Sequence, residues 1–398
     1  MTAFDVNASR AQFPALHQPD QSGAPPVFFD NPAGTQVPQR VIDAVTGYFV
    51  TMNANSGGAF DTSIRSDAMV RATREKVARF LNAPRADEIV LGANMTTLNF
   101  ALSRALATRF APDDEIVLTR MDHDANVSPW LRIAADRGMV VKWIDIRESD
   151  CTLDLDTLEA ALTTRTKIVA TVHASNAVGT INPVARIAAM AHAAGALHVV
   201  DAVQSAPHIP IDVQAIGCDF LLCSSYKFFG PHAGVMWGRY DLLASLPAYK
   251  VRPSKDVPPY RWETGTPAFE LIAGIGAAVD YIDSIGGMAA VGAYERELAA
   301  HLIEMLLRFP DIRIAGITEA TRLSERVPTV VFTHARHTPE AIARHLAGQG
   351  IYVWDGNYYA VEIMHRLGRD DDGMVRVGLA HYNTHAEIDR MEAALQTL

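Results

Sequence analysis

Three cysteines in 398 residues, Cys151, Cys218 and Cys223, are too few and too scattered for a disulfide framework, and no CxxC spacing offers a metal or redox clasp. They cannot all pair with one another, which fits a reducing compartment. No apolar run reaches the roughly 20 residues that span a bilayer. No basic stretch followed by an apolar one opens the chain, so neither a membrane anchor nor a secretory signal is expected. No cluster of Lys and Arg offsets the formal net charge of -10, which argues against nucleic acid or anionic lipid as a partner. Short-period repeats and low-complexity tracts are also missing. What remains is 49% hydrophobic and 20% charged, the balance of a soluble globular protein, and the missing signal and membrane span with the unpaired cysteines point to the cytoplasm. The chain is long enough for a large core plus a second, smaller domain.

The first stretch, 1–29, reads as an extended arm with prolines at 14, 19, 25 and 26. FFDNPAG supplies a short strand and a turn, and VPQRVIDAVTGYF a helix with proline near its first turn. NANSGGAFDTSIRSD reads as a loop able to close over a site, and 66–81 as a helix. From position 88 onward, strands such as EIVLGA, EIVLTR, KIVATVHA, ALHVVDAVQ and CDFLLCSS alternate with amphipathic helices. Strands made of continuous Val, Ile and Leu are buried on both faces, and helices between them imply parallel crossovers. The expected fold is α/β: a large domain over 30–267 with a mostly parallel sheet, and a smaller C-terminal α/β domain over 268–398. In the latter, VPTVVFTH, PEAIARHLAGQG, IYVW, MVRVGLA and AEIDRMEAALQTL give β–α–β–β–α.

In parallel α/β sheets ligands sit beyond the carboxyl ends of the strands. Those ends hold Asn94-Met95-Thr96, Asp122-His123, the stretch 173–176, the stretch 201–204 and the stretch 224–227. Within FLLCSSYKFFGPHAG, Lys227 is wedged between Tyr226 and two phenylalanines. Buried there, its amine would lose solvation, its pKa would fall, and it could attack a carbonyl. The plainer alternative is a lysine snorkelling to water. Asp201, directly after an apolar strand, is either a helix cap or a buried acid with a cationic partner. Pyridoxal phosphate needs such a pair: a carboxylate against its ring nitrogen, a lysine amine, and hydroxyls plus backbone N–H groups for its phosphate. A dinucleotide-binding reading is weaker, because GIGAAV around Gly274 has two of three glycines and lies in a helical pattern. The histidines show no metal-ligand spacing.

The chain resembles the cysteine desulfurase / selenocysteine lyase branch of the class V aminotransferase-like enzymes, pyridoxal-phosphate proteins of fold type I. The likeness runs over nearly the whole length, through FDNPAGTQVPQRVIDAV, MDHDANVSPW, VHASNAVGTINP, VDAVQSAPHIPIDV, CDFLLCSSYKFFGP, RWETGTPAFE and AHYNTHAEIDRM in that order. It implies that Lys227 is the Schiff-base lysine and proton-moving base, and Asp201 the partner of the ring nitrogen. Gln204 and Asn176 would hydrogen-bond the ring hydroxyl, and His123 would stack on the ring, its bland alternative being a helix cap. Ser224, Tyr226 and the turn Ala93-Asn94-Met95 would hold the phosphate. Thr266 would reach the phosphate of the neighbouring subunit in a homodimer. Arg376 matches the arginine that grips the carboxylate of an amino acid substrate; otherwise it is a surface ion-pair residue.

The resemblance breaks in three places. Tyr226 replaces the histidine usual before the lysine, and Ala93-Asn94-Met95 replaces glycine-threonine-threonine, with the Asn94 amide standing in for a hydroxyl. In IYVWDGNYYAVEIMHRLG, Tyr359 stands where desulfurases carry a nucleophilic cysteine. A phenol cannot accept sulfur as a persulfide, which disfavours that mechanism. Trp354 replaces an arginine, and Asn357, Tyr358 and Tyr359 make the pocket more aromatic. The expectation is a pyridoxal-phosphate enzyme on an amino acid, of C–S/C–Se lyase type. A class V aminotransferase or an epimerase, with His123 or Tyr359 as second proton donor, is the alternative. A pyridoxal-phosphate protein without turnover is the remote one.

Overall fold

The computed structural model describes residues 4–20 and 23–398, so that 1–3 and 21–22 of the expected arm lie outside it. The central sheet has seven strands. They are β1 Ile89–Gly92, β2 Glu115–Thr119, β3 Val140–Ile144, β4 Thr166–Val172, β5 Leu197–Asp201, β6 Phe220–Ser224 and β7 Gly234–Gly238. Their spatial order is β1-β7-β6-β5-β4-β2-β3, and every pairing is parallel except the two made by β7. Apart from the edge strand β3, whose residues are mostly half-buried or exposed, the apolar runs are buried on both faces. Along β6, Leu221 and Cys223 enter one core while Phe220 and Leu222 enter the opposite one. Helices Gln39–Thr51, Asp61–Phe80 and Phe269–Ser284 cover the first face, and Met95–Ala107 and Ser128–Arg137 the second.

A second sheet of four strands follows: β8 Ile312–Ala315, β9 Thr329–His334, β10 Trp354–Gly356 and β11 Met374–Gly378. Its order is β8-β9-β11-β10, antiparallel throughout, and it shares a core with helices Gly287–Leu307, Pro339–Ala347 and His385–Leu395. The two units exchange chain. Helix Phe269–Ser284 packs on Gln39–Thr51 and Asp61–Phe80, and Val27–Phe28 pairs in parallel with Ile351–Tyr352.

Three local expectations change. The arm is not simply extended: Val6–Arg10 is helical, capped by Asp5, which accepts the Ala8 N–H at 3.0 Å, and Pro14–His17 forms a 3-10 turn. The helix expected from 66 begins at Asp61, because Ser63 and Ser66 donate their hydroxyls back to the carbonyls of Asn55 and Met52. Polar residues that read as loop are thus the helix's fastening to the preceding turn. IYVW is not one strand, since Ile351–Tyr352 pairs with the N-terminal segment and Trp354–Gly356 with β11. Among the described residues no single helix is long and apolar enough to cross a membrane, and no group of His, Cys, Asp and Glu is placed to hold a metal.

Candidate active site

The turn after β1 and the carboxyl ends of β4, β5 and β6 open into a cavity of about 840 Å³, walled on the far side by Pro32, Ala33, β10 and β11. Lys227 is carried into it by a pinned turn. Ser225 N donates to the Ala233 carbonyl (2.9 Å), Gly230 N donates to the Ser225 carbonyl (2.8 Å), and Phe229, left-handed at φ 68°, donates its N–H to Thr35 Oγ1 (3.0 Å). The Lys227 amine donates to the Pro32 carbonyl, and the residue is only 8% exposed, which excludes snorkelling. Burial, then the charge of Arg376, pushes its pKa down to about 7 against the pull of Asp201 and Asp30.

Asp201 ends β5, and its Oδ1 accepts the Val203 N–H at 2.8 Å. Burial lifts its pKa to about 6 in spite of that bond and of Lys227. His123 Nδ1 accepts the Ala125 N–H at 3.0 Å, so the ring does cap a short turn. The same bond makes Nε2 the protonated nitrogen of the neutral ring. Burial, followed by the charges of Lys227 and Arg376, pushes its pKa down to about 4. The His123 ring stacks on Tyr359, with centroids 5.6 Å apart.

Two amides enter between these groups. Asn176 donates through Nδ2 to the Tyr358 carbonyl at 3.0 Å, and Gln204 Nε2 bonds Thr329 Oγ1 and His208 Nε2, each at 3.3 Å. Their carbonyl oxygens, Asn176 Oδ1 and Gln204 Oε1, are buried without a partner. At the β1 end, helix Met95–Ala107 starts from Asn94, whose Oδ1 accepts the Thr97 N–H (2.8 Å) and hydroxyl (2.9 Å). The Asn94 carbonyl oxygen is therefore a helix cap, and only its NH2 is left to face an anion. Ser224 Oγ accepts the Met95 N–H at 3.3 Å, and Tyr226, stacked on His232 at 4.9 Å, lines the same region. Gly234 permits this approach: a Cβ there would stand 2.3 to 2.7 Å from the Asn94 backbone.

Arg376 on β11 is buried, donates through Nη1 to the Asn176 carbonyl (3.0 Å) and lies 4.2 Å over the Tyr358 ring. This excludes the surface ion-pair reading. Its Nε has no partner, and burial lowers its pKa to about 10. Among the described residues no carboxylate stands at ion-pair distance from this buried guanidinium, which leaves its charge open to an anion entering the cavity. Asn357 Oδ1 accepts the Tyr359 N–H at 3.0 Å, and the Tyr359 carbonyl accepts the Asp124 N–H at 2.7 Å. Tyr358 and Tyr359 both hold left-handed backbone, φ 53° and 58°, which is rare for aromatic residues and recurs at ligand sites. Thr266 is exposed and does not line this cavity, nor does any cysteine. All three thiols are buried; burial pushes Cys151 up to about 12 and raises the other two as well.

Sequence reasoning passed over Asp30, whose buried Oδ1 has no partner and whose pKa burial lifts to about 6 near Arg376 and Lys227. Its signal was present in the FFDNPAG turn. Also missed were Glu340, Asp355 and the run Asp370-Asp371-Asp372, which line the mouth. The inner residues fit pyridoxal phosphate. A buried carboxylate stands on one strand, a lysine on the next, two buried acceptors lack partners, and a helix N-terminus with a serine hydroxyl marks one end.

Comparison with known proteins agrees. Residues 27–391 match the family described as Aminotransferase class-V. A probable cysteine desulfurase of Streptomyces coelicolor is 35% identical over 411 residues, covering 99% of this chain and 97% of that one. The cysteine desulfurase of Serratia proteamaculans is 33% identical over 411 residues, covering 100% and 98%. The solved cysteine desulfurase from Thermococcus onnurineus superposes with a TM-score of 0.91 at 27% identity, over 100% of this chain and 99% of that one. A structure with glycine covalently linked to its PLP cofactor shares the fold, with a TM-score of 0.82 at 22% identity over 97% and 98%.

Proposed function

Because the chain belongs to the class-V aminotransferase family and is a cysteine desulfurase-like enzyme that uses pyridoxal phosphate, we propose that it acts on an amino acid as a C–S or C–Se lyase working without a persulfide cysteine. The supporting observation is the cavity wall: Tyr359 stands at its mouth, and no thiol lines it. A buried thiol raised to about 12 is not a nucleophile at neutral pH.

Bound in the cavity, pyridoxal phosphate would supply an electron sink for the reaction. The chain's own groups do the rest. Asp201 would hold the ring nitrogen, Asn176 and Gln204 would offer acceptors to the ring, and Ser224 with the first turn of Met95–Ala107 would hold the phosphate. His123 gives a neutral ring face and an Nε2–H. Arg376 fixes the substrate carboxylate through a planar fork. Lys227, partly neutral near pH 7, removes the proton from the carbon bearing the amine. Loss of the sulfur or selenium group with its electron pair then needs no protein nucleophile.

The test is product analysis of purified enzyme with a panel of sulfur- and selenium-bearing amino acids. One pyruvate and one ammonia per sulfide or selenide released supports the lyase. Alanine with sulfur left on the protein restores a desulfurase mechanism. An oxo acid with the aminated cofactor makes the protein an aminotransferase, and a racemised substrate an epimerase. We further read the protein as a cytoplasmic homodimer in which Thr266 serves the neighbour's phosphate site. The three unpaired cysteines, the exposure of Thr266 and the exposed apolar residues Phe49, Val50, Phe60 and Ile64 support this. A monomeric mass by light scattering would remove the dimer reading.

A further inference from the structure

The two ends of the cavity differ in charge. Its inner wall carries Lys227 and Arg376 beside Asp201, whereas its mouth is lined by Glu340, Asp355, Asp370, Asp371 and Asp372, with no lysine or arginine among the residues there. Three of these carboxylates have basic neighbours outside the lining: Arg344 at 2.6 Å from Glu340, His365 at 3.1 Å from Asp370 and Arg369 at 3.7 Å from Asp372. Asp355 and Asp371 have no ion-pair partner among the described residues. The same mouth holds the aromatic faces of Trp354, 50% exposed, and Tyr359, 70% exposed. Trp354 lies opposite Arg376 in the β10–β11 register, so this aromatic surface begins beside the buried guanidinium.

Carboxylates set among aromatic faces attract cations and repel anions. The buried, unpartnered Nε of Arg376 marks the inner end as the place for an anion. A volume of about 840 Å³ stands near the upper end of the roughly 300–1,000 Å³ typical of small-molecule sites. That leaves room for a long side chain beside the cofactor. Resting on the amino acid reading above, we propose that the substrate carries a cationic group, an ammonium, guanidinium or imidazolium, at the far end of its side chain. The carboxylate sits on Arg376 and the cation in the acidic, aromatic mouth. A substrate so polarised is oriented by the gradient before any bond changes, and an amino acid with a second carboxylate is rejected.

The experiment titrates the cofactor-loaded enzyme with L-arginine, its neutral isostere L-citrulline, and L-glutamate, which lack a sulfur to eliminate. Equilibrium dissociation constants are read from the change in cofactor absorption at low and high salt. L-Arginine should bind about fivefold more tightly than L-citrulline at low salt, with the ratio shrinking at 0.5 M salt and L-glutamate weakest. Asp371→Asn, a change at an exposed turn, should lower the arginine-to-citrulline ratio, and Glu340→Gln should do so from another element. Equal binding of L-arginine and L-citrulline, or tight binding of L-glutamate, overturns the proposal and leaves the amino acid reading intact. If no amino acid changes the absorption, that reading fails and this inference with it.

Discussion

Lys227 and Asp201 are tuned toward each other from opposite directions. Burial lowers the lysine to about 7 and raises the aspartate to about 6. With Lys227 as the imine-forming amine and Asp201 as the partner of the ring nitrogen, as proposed, capture of pyridoxal phosphate needs the amine neutral, hence a pH above the lowered pKa, and the carboxylate ionised, hence a pH above the raised one. The rate of cofactor uptake by the apoprotein should therefore climb between pH 5.5 and 8 and level off. An ordinary lysine would place the rise near pH 10, and absorbance-monitored uptake tells the two apart. Lys227→Ala should leave no covalent cofactor after borohydride reduction, as read by intact mass; retained attachment sinks the assignment. Arg376→Lys keeps the charge but loses the planar fork and the stacking on Tyr358, so kcat/KM should fall by about 100-fold. His123, its pKa pushed down to about 4 by burial, should contribute no inflection to a pH–rate profile between 5 and 9. Its position in MDHDAN was legible from the strand end, but its neutrality was not, because that depends on burial and on two cations from other elements.

Among the elements, the turn from β1 into helix Met95–Ala107 is held by contacts on both sides. Asn94 caps the helix from within, and Gly234 on β7 yields the space beside it. Gly234→Ala should displace the turn and weaken cofactor affinity by at least tenfold while circular dichroism keeps its native form. Asn94→Ala removes the cap and should cost about 1 kcal/mol in unfolding. The central strands were readable because runs of Val, Ile and Leu bury both faces wherever they fall. The start of helix Asp61–Phe80 was not, because Ser63 and Ser66 have no helical signature until Asn55 and Met52 are beside them.

At the scale of the whole molecule, Asn31 ties the N-terminal segment to the second sheet. Its Nδ2 donates to the carbonyls of Phe28 (2.9 Å) and Gly378 (2.8 Å) and to Asn383 Oδ1 (3.1 Å), and its Oδ1 accepts the Tyr382 hydroxyl. The next residue, Pro32, packs on Gly378 and offers its carbonyl to Lys227. Asn31→Ala leaves several of these partners buried and unsatisfied, and should lower the melting temperature by roughly 5 °C in a calorimetric scan. Such a tie, between residues more than 340 positions apart, has no local trace. The sequence by itself determined the parallel sheet and the polar residues at its strand ends, since strand periodicity and chain order decide both. Only the tertiary structure decided what those residues are chemically. It brought Asp30, Pro32 and Arg376 near them, set the acidic mouth at the other end of the cavity, and supplied the burial that moves Lys227 and Asp201 toward neutrality. Burial and long-range proximity belong to the folded chain and to no stretch of it.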